Sequence, residues 1–188
     1  MTTRLTLLTV ALTTTLANAA EPCADRSGPT VSSRDGKLTV FVSRDASRTD
    51  DSALGDVPHE DLCLVRDGGK PTLLLAGRGG DPEKGLTGFE SLLLVDSLLY
   101  FTAGGWATSP AAHRLDLRTG AQKFLFDGAV VARTADGHLV ASHFRIDTKY
   151  PVSSPKYRGR METWSLVTRD GQVVRALSEG EAKRLSVK

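Results

Sequence analysis

The sequence predicts an all-β fold, a β-propeller-like array of three four-stranded repeats covering residues 30–77, 91–128 and 130–180. Three observations predict it. Gly69, Gly120 and Gly171 recur at intervals of 51 residues, each in the turn of a hairpin that closes on a further glycine, Gly77, Gly128 or Gly180. Upstream of each lies a second hairpin turned at an aspartate: Arg34-Asp35-Gly36-Lys37, Asp96-Ser97 and Asp136-Gly137. Asp-Gly between β-rich runs is a strong short-range hairpin signal, and a self-similar unit of two hairpins is the pattern of a propeller blade. Three repeats are fewer than the roughly four to eight of an ordinary closed propeller, so the same strands forming a β-sandwich is the alternative.

In chain order the first repeat reads Thr30 to Ser32, Leu38 to Val42, Leu62 to Val65 and Thr72 to Leu75. The second reads Ser91 to Val95, Leu98 to Thr102, His113 to Leu117 and Lys123 to Phe126. The third reads Val130 to Thr134, His138 to Phe144, Thr163 to Val167 and Val173 to Leu177. Leu38, Val40 and Val42 oppose Lys37, Thr39, Phe41 and Ser43, the alternation of a strand with one wet side. Leu92-Leu93-Leu94-Val95 and Leu73-Leu74-Leu75 are apolar on both faces, which predicts central strands covered on both sides. From Ser178 onward Glu179, Glu181 and Ala182 favour a helix that Gly180 interrupts, and the reading there is a frayed tail.

Residues 1–19 read as a secretory signal: Arg4, an apolar, threonine-containing stretch from Leu5 to Leu16, then Ala17-Asn18-Ala19 as a cleavage motif. The stretch is too short to span a bilayer, and Ala20-Glu21-Pro22 before Cys23 argues against a lipid anchor. The expectation is a chain cleaved near Ala19 and released into a periplasm or to the outside. In that oxidising space an isolated pair of cysteines, Cys23 and Cys63, predicts one disulfide. Without Arg4 the remainder carries 23 basic and 22 acidic residues, a net charge near +1 that points to neither nucleic acid nor an anionic membrane as partner.

Catalytic and cofactor signals are weak throughout. Ser142 and His143 are adjacent on a strand, so their side chains diverge, and neither a Gly-x-Ser-x-Gly elbow nor a Ser-x-x-Lys occurs. His59, His113, His138 and His143 lack zinc-ligand spacing, and after Asp45 the alternation of calcium ligands lapses into Ser47 and Thr49. Gly77-Arg78-Gly79-Gly80 lacks the end of a phosphate loop. The reading is therefore no catalytic residue, no metal and no cofactor.

The long connections hold what remains. The first, from Arg44 to Asp61, is an acidic loop with Asp50, Asp51 and Asp56. The second presents Trp106 in a glycine-rich setting, while Trp164 reads as core. The third, from Arg145 to Arg160, interleaves Arg145, Lys149, Lys156 and Arg158 with Tyr150 and Tyr157. Loops on a rigid β scaffold commonly carry function, and Trp, Tyr and Arg are frequent interface anchors, so these residues are the candidate partner-binding set.

Leu98-Leu99-Tyr100-Phe101-Thr102, Gly105-Trp106-Ala107-Thr108-Ser109, Ala112 to Leu117 and Trp164 to Gly171 resemble blades of bacterial periplasmic propeller-repeat proteins, including a group with no assigned activity. This likeness covers residues 91–180 and departs at the basic insertion before Met161 and at the acidic first loop. In size, export signal, N-terminal cysteine and hairpins, the chain also resembles periplasmic immunity proteins that inhibit cell-wall amidase effectors of bacterial secretion systems. That resemblance implies a non-enzymatic binding protein docked on another protein, an effector enzyme in the concrete case. A module for a small ligand or glycan centred on Trp106 is the alternative, and a hydrolase is third. Oligomeric state is left open.

Overall fold

A computed structural model describes residues 21–50, 57–77, 86–104, 110–146 and 149–186. Residues 1–19, expected to form a secretory signal, and Asp51, Asp56 and Trp106 lie outside the described residues. The strands β1 (Thr30–Ser32), β2 (Leu38–Asp50), β3 (Val57–Arg66) and β4 (Thr72–Ala76) form one sheet in chain order. A second sheet runs, also in chain order, through β5 (Thr87–Val95), β6 (Leu98–Gly104), β7 (Ala111–Asp116), β8 (Gln122–Arg133), β9 (Leu139–Ile146), β10 (Arg160–Val167) and β11 (Val173–Leu177). All pairings are antiparallel. Among the described residues one helix, α1 (Glu179–Ser186), follows. The fold is all-β with two antiparallel sheets, one of them a curled half-barrel.

The strands expected for the second and third repeats are present, but the repeats do not form separate sheets. They share β8, which pairs with β7 from Gln122 to Asp127 and with β9 from Gly128 to Arg133. The pivot is Gly128, whose φ of +142° suits glycine and whose substitution by any residue would place a Cβ 1.9 Å from the carbonyl oxygen of Ser142. A tight backbone approach of the same kind occurs after β4, where a Cβ on Gly77 would stand 1.7 Å from the Glu60 carbonyl oxygen. Two of the three closing glycines therefore mark backbone contacts between strands. The third, Gly180, lies within α1.

Strand alternation sorts the side chains into successive layers. Val40, Val42, Leu62 and Leu64 of the first sheet meet Phe89, Leu99, Phe101 and Leu115 from one face of the second. The opposite face of those middle strands gives Val95, Tyr100 and Ala112 to a core shared with Val130, Leu139, Ala141 and Val167. The apolar run in β5 divides accordingly, Leu92 and Leu94 to the first core and Leu93 and Val95 to the second. Burial of this kind stabilises by roughly 25 cal/mol for each Å² of apolar surface removed from water.

Both outer faces are capped. The face of β2 expected to be wet is buried at Phe41 and Ser43, at 0% and 4% exposure, and stays open only toward Lys37 and Thr39. The segment ahead of β1 covers it: Cys23 is disulfide-bonded to Cys63 with Cα atoms 5.8 Å apart, the Arg26 guanidinium lies 4.8 Å above the Phe41 ring, and the Gly28 amide donates to the Val42 carbonyl. At the other extreme α1 lays Ala182 over Ala132, Val140, Leu166 and Leu177, with Trp164 packed alongside. The expected frayed tail is thus a docked helix. Ser178 and Glu181 make a reciprocal capping box, the Ser178 hydroxyl accepting from the Glu181 amide and the Glu181 carboxylate from the Ser178 amide. Leu73 departs from the expected burial, at 45% exposure, because β4 is an edge strand rather than a central one.

The meander separates two ends. Tight turns gather at one, where they are tied across repeats: Asp96 pairs with Arg169 at 3.0 Å, Asp170 with Arg114 at 2.5 Å, and the buried Tyr100 hydroxyl donates to the Arg169 carbonyl. The long connections β2–β3, β4–β5 and β6–β7 leave from the opposite ends of the strands.

Candidate functional site

The described part of the third long connection is built on the β9–β10 ribbon, which is paired out to Ile146 and Arg160. Beyond it the chain folds through two linked turns. The Ser154 amide donates to the Pro151 carbonyl and the Tyr157 amide to the Ser154 carbonyl, while the Ser154 hydroxyl accepts from the Lys156 amide. Proline, serine and glycine supply this turn chemistry, and Gly159 takes a positive φ just before β10.

These turns bring two ammonium groups over the Tyr150 ring. Lys149 Nζ lies 5.4 Å and Lys156 Nζ 5.9 Å from the ring centroid, at the outer range of cation–π attraction. Tyr150 and Tyr157 are half-buried, and Lys149, Lys156 and Arg158 are exposed. Arg145 lies within β9, opposite Met161, rather than in a loop, and is exposed too. Two apolar side chains complete the surface, Ile146 at 57% and Val152 at 78% exposure. The sequence singled out the cations and tyrosines but passed over these aliphatics, which charge and aromatic content do not flag.

The acidic segment differs from its expectation. Most of it is strand, with β2 extending through Arg44 and Asp45 to Asp50, and β3 beginning at Val57. Alternation turns several of its charged groups inward. Arg44 Nε donates to Glu60 at 2.7 Å, and the other Glu60 oxygen accepts from the Phe89 amide, linking the two sheets. His59 and Asp61, both nearly buried, share a 2.9 Å contact, and Asp61 also accepts from the Gly77 amide. These groups are internal struts. Asp50 falls on β2 opposite Val57, so the acidic and basic candidates sit on different sheets.

The structure brings together one pair that the sequence reading did not. His143 Nε2 lies 2.5 Å from Ser165 Oγ, diagonally across β9 and β10, and the imidazole packs 4.4 Å from the Phe126 ring. Burial holds the His143 pKa below the usual histidine range. A serine beside a neutral imidazole has the elements of a nucleophile and base. At 4% exposure, however, Ser165 is buried. His113 is likewise enclosed, stacked on Phe101 with the Phe124 ring edge-on, and burial lowers its pKa as well. Among the described residues no three His, Cys, Asp or Glu side chains converge on a possible metal position, and no helix is long and apolar enough to cross a membrane.

Compared with known proteins, the chain matches no family model and no curated protein.

Proposed function

We propose that this chain is an exported, non-enzymatic binding protein that docks on another protein through the connection between β9 and β10, presented by a propeller-like scaffold of three four-stranded units. The observation carrying this reading is Tyr150 with the Lys149 and Lys156 ammonium groups over its ring on hydrogen-bonded turns, in a stretch that also exposes Ile146 and Val152. An aromatic body with cations around it and aliphatics beside it combines the anchor and the polar rim of a protein interface. The matching partner face is acidic with an apolar centre. Inhibition of a periplasmic effector enzyme is the concrete form of this function, through a loop laid over the enzyme's cleft. The disulfide and the absence of a membrane-crossing helix among the described residues are compatible with export.

The test starts from a protein captured from periplasmic extract, purified and titrated calorimetrically. Tyr150→Ala should weaken its binding by about 2 kcal/mol or more. A Lys149→Glu, Lys156→Glu and Arg158→Glu variant should slow association and flatten its salt dependence. Unchanged affinity and rates in both variants, with the fold intact, would remove the loop from the interface.

A further inference from the structure

At the end opposite the long β2–β3, β4–β5 and β6–β7 connections, turns from both sheets surround a cleft of about 620 Å³. Leu38 and Leu94 give it an apolar floor, and around them stand Arg34, Lys37 and Arg133 with Asp35, Asp67 and Asp96. The volume falls within the range of small-molecule sites, roughly 300 to 1,000 Å³. Three cations and three carboxylates leave the lining formally neutral, so a ligand of a single sign meets as much repulsion as attraction.

The charges are not equally occupied. Asp35 is committed to its own turn, accepting from the Ser33 hydroxyl at 2.6 Å and from the Lys37 amide at 3.2 Å. Asp96 is held by Arg169 at 3.0 Å, which leaves Arg133 only a long 3.8 Å contact with it. Arg34, Lys37 and Asp67 make no ion pair among the described residues. The cleft therefore offers Arg34 outside any ion pair, Lys37 close enough to Asp35 to stabilise its charge but without a close contact, a loosely held Arg133, an unpaired Asp67 and an aliphatic floor.

We infer that this cleft binds a small zwitterion with an aliphatic body, a free amino acid or short peptide. Its carboxylate meets Arg34, Lys37 and Arg133, its ammonium meets Asp67, and its apolar part lies on Leu38 and Leu94. The site is separate from the Tyr150 surface and does not rest on the docking function.

Calorimetry and amide chemical-shift titration of the whole protein with L-leucine and with trialanine test this, using N-acetyl-leucine amide and inorganic phosphate as controls. At least one zwitterion should bind with Kd on the order of 1 mM or tighter. Stronger binding by leucine identifies an amino-acid site, and stronger binding by trialanine a peptide site. Asp67→Asn and Lys37→Gln should each weaken binding about tenfold. Asn tolerates the positive φ of residue 67, so the first variant keeps its turn. No binding of either zwitterion, equal binding of phosphate or of the uncharged amide, or unchanged affinity in both variants would each overturn the assignment.

Discussion

Single residues decide whether the sheets can form. Gly128→Ala forces a methyl group into the Ser142 carbonyl and an L-residue into a disfavoured backbone conformation. The expected loss is about 3 kcal/mol or more in urea denaturation. Two other residues set a pH dependence. Burial keeps His113 and His143 below their ordinary pKa, so in the window between the folded value and about 6.5 the unfolded chain binds more protons. The contribution of these neutral imidazoles is complete above about pH 6.5, is lost as pH falls through that window, and levels off below the folded value. Urea midpoints measured from about pH 7.5 down to 5 should fall, and should fall less in a His113→Gln, His143→Gln double variant. Equal slopes for both proteins would show that the imidazoles titrate alike in the folded and unfolded states.

Among the elements, α1 is short enough for its cap and one glycine to matter. Ser178→Ala removes half of the capping box and should cost about 1 kcal/mol, seen as a lower thermal midpoint. Gly180→Ala has the opposite sign. A Cβ there meets nothing nearer than the Arg184 guanidinium at 3.8 Å, so the substitution should stabilise by about 0.5 kcal/mol. The helix is needed because Ala132, Val140 and Leu166 on the outer face of β8–β10 would otherwise meet water. The capping box Ser178-x-x-Glu181 is a helix-start signal in the sequence, while Gly180 between its members reads there as an interruption.

For the whole molecule, the layered cores leave two outer faces, and the chain covers them with its own N-terminal segment and its C-terminal helix, as terminal caps close a repeat array. The N-terminal cover depends on the disulfide. Closing 40 residues is worth about 4 kcal/mol in the chain-entropy model. A Cys23→Ala, Cys63→Ala variant should lose stability of that order and bind a hydrophobic dye at the uncovered Phe41 face. A variant that keeps its midpoint and stays dye-free would show that Arg26 and Gly28 hold the segment without the bond.

By itself the sequence determined the all-β class, most strand positions and the disulfide, because strand alternation, aspartate and glycine turns and the cysteine pair are local or compositional signals. The position of the connection that carries Tyr150, between β9 and β10, was also legible, since the flanking strands alternate and the cations and tyrosines between them are visible without a fold. The fusion of the second and third repeats through β8, the drying of the Phe41 face and the inward turn of Glu60, His59 and Asp61 were decided only in three dimensions. Each depends on which strand lies alongside which: a carbonyl against Gly128, a disulfide-held segment over β2, a partner amide from Phe89 or Gly77. The His143–Ser165 pair, 22 residues apart, and the turn-end cleft follow from the same register. An acidic residue reads as solvated in sequence whether or not a donor waits for it, and only tertiary pairing supplies the donor.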